Sequence, residues 1–447
     1  MCAQVSSAIY AFELTTRPAL SMGYLYIADI NSAARDSGAP IVSSEATTLS
    51  PQLAARASGA LFAGDFFGIL QHFDYTQGQQ QDIYQARGVS RVSVLPKTVY
   101  LDMYGALEQR SIDSDPLVEQ NRFQLSERRS DVYSLSATPT VALHGARTYT
   151  ELKYTREMSR VRASNVGDYD GNQFQASIAS ANTEVNQASW KSFALWRDTA
   201  FRDRGESKSR DLGGNYRFNL SSVVELDLTG GGEYNLQPYV STVRNDYQFY
   251  WLAGARLRPS SMLNAYLSAG RRNLGTTYRG MLTYRVRELE LSSEYSEAVV
   301  DSIPFNADIA APSESALFLR GPHVSRRTNI SAAYHSTRTQ AQILANQDRR
   351  GYAFGDQQDV LRNIQVNATY RVTVRSVISL TTRLDYNESP SVLVAGYYVG
   401  GATGVAYLVN KYVTFSIKAI AYNRNYQSAM RDVKNAIYIA EITLKGS

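Results

Sequence analysis

The chain has 447 residues, with 46 Lys and Arg against 41 Asp and Glu. The two signs are interleaved, so the net charge of +5 forms no compact phosphate-tracking patch and no nucleic-acid partner is expected. A single cysteine, Cys2, excludes an internal disulfide framework and a multi-cysteine metal site, and neither metal nor cofactor is expected.

Mean hydropathy is −0.31, and no run of about 18 apolar residues occurs, which excludes a transmembrane helix. A spanning strand escapes that test, because it is apolar only at alternate positions. Residues 1–7 carry neither a basic nor an apolar leader region and are read as a segment ahead of the folded part, with any presequence outside it. Met1-Cys2-Ala3-Gln4 fits the tail of a cleaved signal, a lipidated Cys2 or a plain start equally well.

From residue 8 to residue 444, strand-like alternation runs without a helical interval and without a linker. Val99, Leu101, Met103 and Leu107 oppose Tyr100, Asp102, Tyr104 and Glu108, and Val224, Leu226 and Leu228 oppose Glu225, Asp227 and Thr229. The alternation is cleanest at Tyr247, Phe249, Trp251, Ala253, Ala255 and Leu257, which form an apolar strip against Gln248, Gly254 and Arg256. Pro259, Ser260 and Ser261 turn the chain back into Leu263, Ala265, Leu267 and Ala269, a hairpin. Leu289, Leu291 and Tyr295 then oppose Glu288, Glu290 and Glu294, and Ile378, Leu380, Leu384 and Tyr386 oppose Arg383 and Asp385. Val413, Phe415 and Ile417, and lastly Tyr438, Ala440, Ile442 and Leu444, complete the series.

Short turns near 58–59, 96–97, 145–146, 219–222, 259–261, 286–287, 374–376 and 410–411 alternate with polar connections. These longer connections fall at 31–46, 113–126, 163–170, 203–207, 237–243, 300–324, 349–358 and 423–431. That asymmetry predicts an all-β fold: a single closed antiparallel transmembrane β-barrel of about 22 strands (roughly 18 to 26), with short periplasmic turns and longer extracellular loops. Closure removes the exposed edges that so many long strands would otherwise leave. The 31 tyrosines suit a surface that meets both hydrocarbon and headgroups.

The pattern assigns faces. Tyr247, Phe249, Trp251, Ala253, Ala255 and Leu257 are expected to face lipid, so Ala253→Arg should impair insertion more than Gly254→Arg. Asp102, Glu108, Glu225, Asp227, Arg256, Glu288, Glu290, Glu294, Arg371, Arg383 and Asp385 are expected to face the lumen, either as a selectivity lining or as cross-strand pairs that brace a hydrated wall. The 301–324 connection is apolar at Phe305, Ile309, Leu317, Phe318 and Leu319, and reads as a constriction folded into the pore or as a docking loop. No nucleophile elbow, zinc-binding helix, P-loop or dinucleotide fingerprint is present, and His72, His144, His323 and His335 are scattered. The chain is therefore read as a non-enzyme, although a strand-borne protease or lipase site would leave little local signature.

Leu14-Thr15-Thr16-Arg17-Pro18-Ala19-Leu20-Ser21 followed by Tyr24 to Asn31, the hairpins from Gly231 to Tyr278, and Leu317-Phe318-Leu319 leading into Arg326-Arg327-Thr328-Asn329-Ile330 carry a resemblance across nearly the whole chain. The chain resembles the outer-membrane β-barrel proteins found with PEP-CTERM/exosortase and exopolysaccharide systems, a group within the β-barrel porins. It departs from them in ending Ile442-Thr443-Leu444-Lys445-Gly446-Ser447, with Tyr438 the nearest aromatic residue.

The resemblance implies a pore or assembly component of the Gram-negative outer membrane that serves export of surface polysaccharide. Its implied partners are outer-membrane lipid and lipopolysaccharide, periplasmic polysaccharide-export components, and polysaccharide or small polar solutes. The alternatives are a general diffusion porin and a structural or adhesive surface barrel with a closed lumen.

Overall fold

The computed structural model describes residues 13–29, 43–76, 80–111, 129–162, 168–180, 188–202, 205–236, 247–272, 275–300, 323–351, 358–388, 396–426 and 433–446. In these residues the regular structure is β-strand throughout. The first eight strands are β1 (Glu13–Asp29), β2 (Ser43–Ser58), β3 (Phe62–Tyr75), β4 (Gln80–Leu95), β5 (Val99–Ser111), β6 (Arg129–His144), β7 (Thr148–Val161) and β8 (Tyr169–Ser180). Next come β9 (Ala188–Phe201), β10 (Gly205–Asn219), β11 (Val224–Leu236), β12 (Tyr247–Ser260), β13 (Leu263–Arg272), β14 (Gly275–Val286) and β15 (Leu289–Val300). The last seven are β16 (His323–His335), β17 (Thr339–Gly351), β18 (Gln358–Arg371), β19 (Ser376–Glu388), β20 (Gly396–Leu408), β21 (Val413–Tyr426) and β22 (Val433–Lys445).

Each strand pairs antiparallel with the next, and β22 pairs back onto β1 from Ala19 opposite Lys445 to Asp29 opposite Asn435. The sheet is therefore a closed 22-stranded cylinder, as the connection pattern predicts, with its shortest ladder at β14–β15, from Gly280 opposite Tyr295 to Val286 opposite Leu289. The shortest strand, β13, has 10 residues and the longest, β1, has 17. Ten residues extend roughly 33 Å, and a tilt of about 40° brings that to about 25 Å, the height of an outer-membrane barrel's apolar band.

Extracellular ends are joined across residues 30–42, 112–128, 237–246 and 301–322, periplasmic ends across 59–61, 96–98, 145–147 and 261–262. The asymmetry is less uniform than the sequence implies. The connection expected at 203–207 shrinks to 202–204, and 273–274 is as tight, although both lie on the long-loop side. Gly205 (φ 86°) and Gly275 (φ 97°) open the following strands in a conformation that glycine adopts without steric cost, which permits both tight reversals. Reversals at 76–79, 181–187, 336–338 and 389–395 were not legible in the sequence. The segment 301–322, with Phe305, Ile309, Leu317, Phe318 and Leu319, lies outside the described residues.

Successive side chains alternate between the two surfaces of the cylinder. Its outer surface exposes Met22, Leu49, Phe66, Trp196, Ile330, Ile343 and Ile417, with Leu267 at 68% and Phe249 at 93%. Buried polar groups such as Ser21, Thr199, Asp227, Glu233 and Asp348 occupy the opposite surface. Leaving each large apolar side chain in water forfeits about 1.5–3 kcal/mol of burial, so an outer surface of this composition is built for hydrocarbon.

Substitution at adjacent positions tests the faces. Gly254 is a poor inward control for Ala253, because a Cβ there would lie 2.9 Å from Ser268 Cβ and from the Tyr266 hydroxyl, so any side chain is crowded whichever way it points. Ile364, exposed on the outer surface, and Gln365 beside it are cleaner. Ile364→Arg should destabilise the bilayer-inserted protein by about 2–4 kcal/mol. Gln365→Arg should cost far less in the same urea titration in vesicles, and equal losses would contradict the assignment.

Candidate pore lining

The inner surface of the cylinder carries most of the expected charged lining. Asp102 meets the Arg91 guanidinium at 2.6 and 2.9 Å across β4 and β5. Glu225 takes Arg256 at 3.2 Å and Arg258 at 3.7 Å, and the Arg256 guanidinium also lies 5.4 Å over the Tyr266 ring. Asp227 accepts hydrogen bonds from Arg217 at 2.9 Å and from Asn215 at 2.6 Å. Glu290 pairs with Arg285 at 2.6 Å and Glu294 with Arg279 at 3.7 Å. Arg383 and Asp385, two residues apart on β19, pair at 2.5 Å, and the Asn363 amide also donates to Asp385.

Two expected lining residues differ from this pattern. Glu288 stands in the periplasmic turn between β14 and β15, where its carbonyl accepts the His335 amide at 2.8 Å and its carboxylate takes the hydroxyl of Tyr334, which belongs to the outer surface. It is a rim residue, displaced from the wall because the strand has ended there. Arg371 is exposed at the periplasmic end of β18. Glu108 lies on the inner surface near the extracellular end, opposite Gln85. The expected lipid-facing strip lies on the outer surface, with Tyr247, Phe249, Trp251, Ala253 and Leu257 exposed and Ala255 partly so.

Sequence reasoning missed two denser clusters. On β17, Asp348 and Arg350 are both buried and pair at 2.8 Å; the Ser325 hydroxyl donates to Asp348 at 2.6 Å and Arg327 stands 3.6 Å away. On β10 to β13, Arg272 donates to Glu233 at 2.7 and 3.1 Å, lies 3.5 Å from Asp211 and sits 4.9 Å over the ring of Tyr250, whose hydroxyl donates to Asp211 at 2.8 Å. Tyr250 lies flat on the wall because Gly213 and Gly231 leave room. A Cβ on Gly213 would come within 2.5 Å of the Tyr250 hydroxyl, and one on Gly231 would collide with the Leu212 carbonyl. An arginine and an aspartate two residues apart on a strand share one face, and that spacing was the available signal for Asp348 and Arg350.

The lining is not polar throughout. Leu25, Ala46, Phe73, Tyr75, Ile83, Tyr398, Tyr422 and Ile437 form a buried apolar cluster at the extracellular ends of β20 to β22 and β1 to β4, with the Tyr398 and Tyr422 rings stacked at 6.0 Å. Alternation alone does not separate a lumen-facing leucine from a lipid-facing one where the local pattern is apolar on both sides, as at Tyr24-Leu25-Tyr26-Ile27.

No family model matches the chain. No curated protein sequence matches it either. Its fold is similar to that of the siderophore receptor PirA from Acinetobacter baumannii (TM-score 0.56, 8% identity, 96% of this chain and 80% of that one). It is also similar to the ferric-catecholate import receptor Fiu from E. coli K12 (TM-score 0.52, 9% identity, 95% and 81%) and to the ferric enterobactin receptor from Pseudomonas aeruginosa (TM-score 0.51, 8% identity, 96% and 80%). At these identities the likeness is one of fold. Closure, strand length and an apolar exterior around a charged inner wall define a multi-pass β-barrel of the outer membrane.

Removing one member of a buried pair leaves an uncompensated charge and costs about 3–5 kcal/mol. Arg350→Met should approach the lower end of that range, because Arg327 remains near Asp348. Adding Asp348→Leu should recover much of the loss. Urea midpoints of the folded barrel in detergent report both, and a single variant as stable as the parent would contradict the pairing.

Proposed function

We propose that the barrel acts by passage through a hydrated lumen and not by catalysis, and that it serves export of surface polysaccharide across the outer membrane. The observation that supports this most is the local neutralisation of the inner wall. Arg91 with Asp102, Arg217 with Asp227, Arg256 with Glu225, Arg285 with Glu290 and Arg383 with Asp385 cancel one another within the sheet. At these positions the wall offers hydrogen bonds with its charges compensated locally, and Asn329, Gln342, Asn346, Gln365 and Asn367 add amides to the same inner surface. A polyhydroxylated chain can exchange hydrogen bonds along such a surface without an electrostatic trap that would hold it. Barrels of about 16 to 18 strands already enclose an aqueous channel, so a 22-stranded one has the width for a polymer strand. The resemblance to barrels of exopolysaccharide systems points the same way, with periplasmic export components as docking partners at the short-turn end.

A structural barrel with a closed lumen is the second reading, and the apolar cluster around Leu25, Phe73 and Tyr422 at the extracellular mouth favours it. Planar bilayers separate the two. The export reading expects a steady conductance that neutral oligosaccharides block transiently, with block lengthening as the chain lengthens. A folded, inserted protein that conducts no ions supports the closed barrel, and conductance unaffected by oligosaccharide supports a general diffusion porin.

A further inference from the structure

The outer surface carries one place where apolar relief and excess positive charge coincide. Ala253, Ala255, Ala269 and Gly280 form the floor of a shallow depression of about 620 Å³ across β12 to β14, walled by Leu267, Tyr278 and Tyr295. Its lining is overwhelmingly apolar, and its depth comes from small residues set between large ones. Ala253, Ala269 and Tyr278 lie in one cross-strand row, as do Ala255, Leu267, Gly280 and Tyr295. Where the neighbouring outer position projects Phe249 almost wholly into the surroundings, this stretch recedes.

Arg271 stands one outward position beyond Ala269 toward the extracellular end, directly opposite Trp251. It is exposed and makes no ion pair among the described residues. On the far side of the depression, Arg326 and Arg349 oppose each other across the β16–β17 ladder, an arrangement of like charges that destabilises a sheet unless an anion intervenes. Glu297 is the carboxylate paired there, at 3.6 Å from Arg326, and it also accepts the Tyr295 hydroxyl at 2.6 Å. Three arginines thus face one carboxylate. The same extracellular rim on β6 to β10 is better compensated: Arg162 pairs with Asp131, Arg202 with Asp168 and Arg210 with Asp198, while Arg156 and Arg160 share Asp170.

We propose that this patch is a specific site for a phosphate-bearing, multiply acylated lipid of the outer leaflet, with acyl chain in the depression and phosphate held by Arg271 on one side and by Arg326 and Arg349 on the other. Arg271 and Arg326 are three strands distant, at least about 14 Å apart at about 4.8 Å per strand, because the β14–β15 ladder ends at Gly280 opposite Tyr295, below both; such a span suits a headgroup with more than one anionic group. The bound lipid would supply the missing anions and fill a recess that single acyl chains in a fluid bilayer occupy only transiently. Guanidinium groups suit phosphate because they offer paired donors in a fixed fork.

Trp251 is the reporter. The protein has three tryptophans, and Trp190→Phe with Trp196→Phe leaves Trp251 alone beside Arg271. The full chain, folded into phosphatidylcholine vesicles, is given acyl-brominated phosphatidic acid or acyl-brominated phosphatidylcholine at equal fractions, and Trp251 quenching is compared. The site requires several-fold stronger quenching by the phosphatidic acid, relieved by unlabelled lipid A and not by inorganic phosphate. Arg271→Gln with Arg326→Gln should bring the two lipids to parity, and Ala269→Leu should lower quenching by both. Equal quenching in the parent protein overturns the proposal, and so does relief by inorganic phosphate, failure of lipid A to compete, or a preference that survives loss of both arginines. The parent comparison decides the matter if a variant fails to give a heat-modifiable band.

Discussion

Backbone hydrogen bonding is the constraint on which the rest of the structure depends. In hydrocarbon an unpaired peptide N–H or C=O costs several kcal/mol, so a sheet can cross a membrane only when it has no edge. The β1–β22 ladder removes the edge, running from Ala19 opposite Lys445 to Asp29 opposite Asn435. The two strands are the farthest apart in the chain, so the cylinder is closed by the contact with the longest sequence separation in the fold. Closure fixes which surface is inside, and with it the role of every alternate residue.

Two solvents then act on one strand. The outer positions meet hydrocarbon and are filled by Leu, Ile, Phe and Trp, whereas the inner positions gather arginine and carboxylate in pairs. A charge on the inner wall sits against a sheet of low polarisability, where an uncompensated ion is costly and a paired one is tolerated. Pairing within the wall lets the interior hold many charges that are compensated locally. The excess positive charge at Arg271, Arg326 and Arg349 lies on the opposite surface, where the anions are those of the membrane itself.

The sequence made the architecture legible because the strand period is two and the barrel turns it into an inside and an outside. Tyr247 to Leu257 read as an apolar strip and lie on the outer surface; Asp102, Glu225, Asp227 and Arg256 read as the opposite face and lie on the inner one. Pairing partners were not legible, since Arg272 meets Glu233 and Asp211 only once the β10–β13 register is set, and register is invisible to alternation. Glu288 was misplaced because parity continues through a turn on paper while the strand ends in space. The apolar cluster around Leu25 was missed for a related reason: a run apolar on both faces carries no phase.

Closure itself is open to direct measurement at the seam. Ser21 and Thr443 face each other across β1 and β22 with their hydroxyl oxygens 3.0 Å apart, and Thr138 and Thr155 do the same at 3.0 Å within the β6–β7 hairpin. In a Cys2→Ser background, cysteines at 21 and 443 should form a disulfide on oxidation of the membrane-inserted protein. The product would be a circular chain with altered mobility after boiling that reverts on reduction. A hairpin control with cysteines at 138 and 155 that cross-links while the 21–443 pair does not would contradict a closed cylinder.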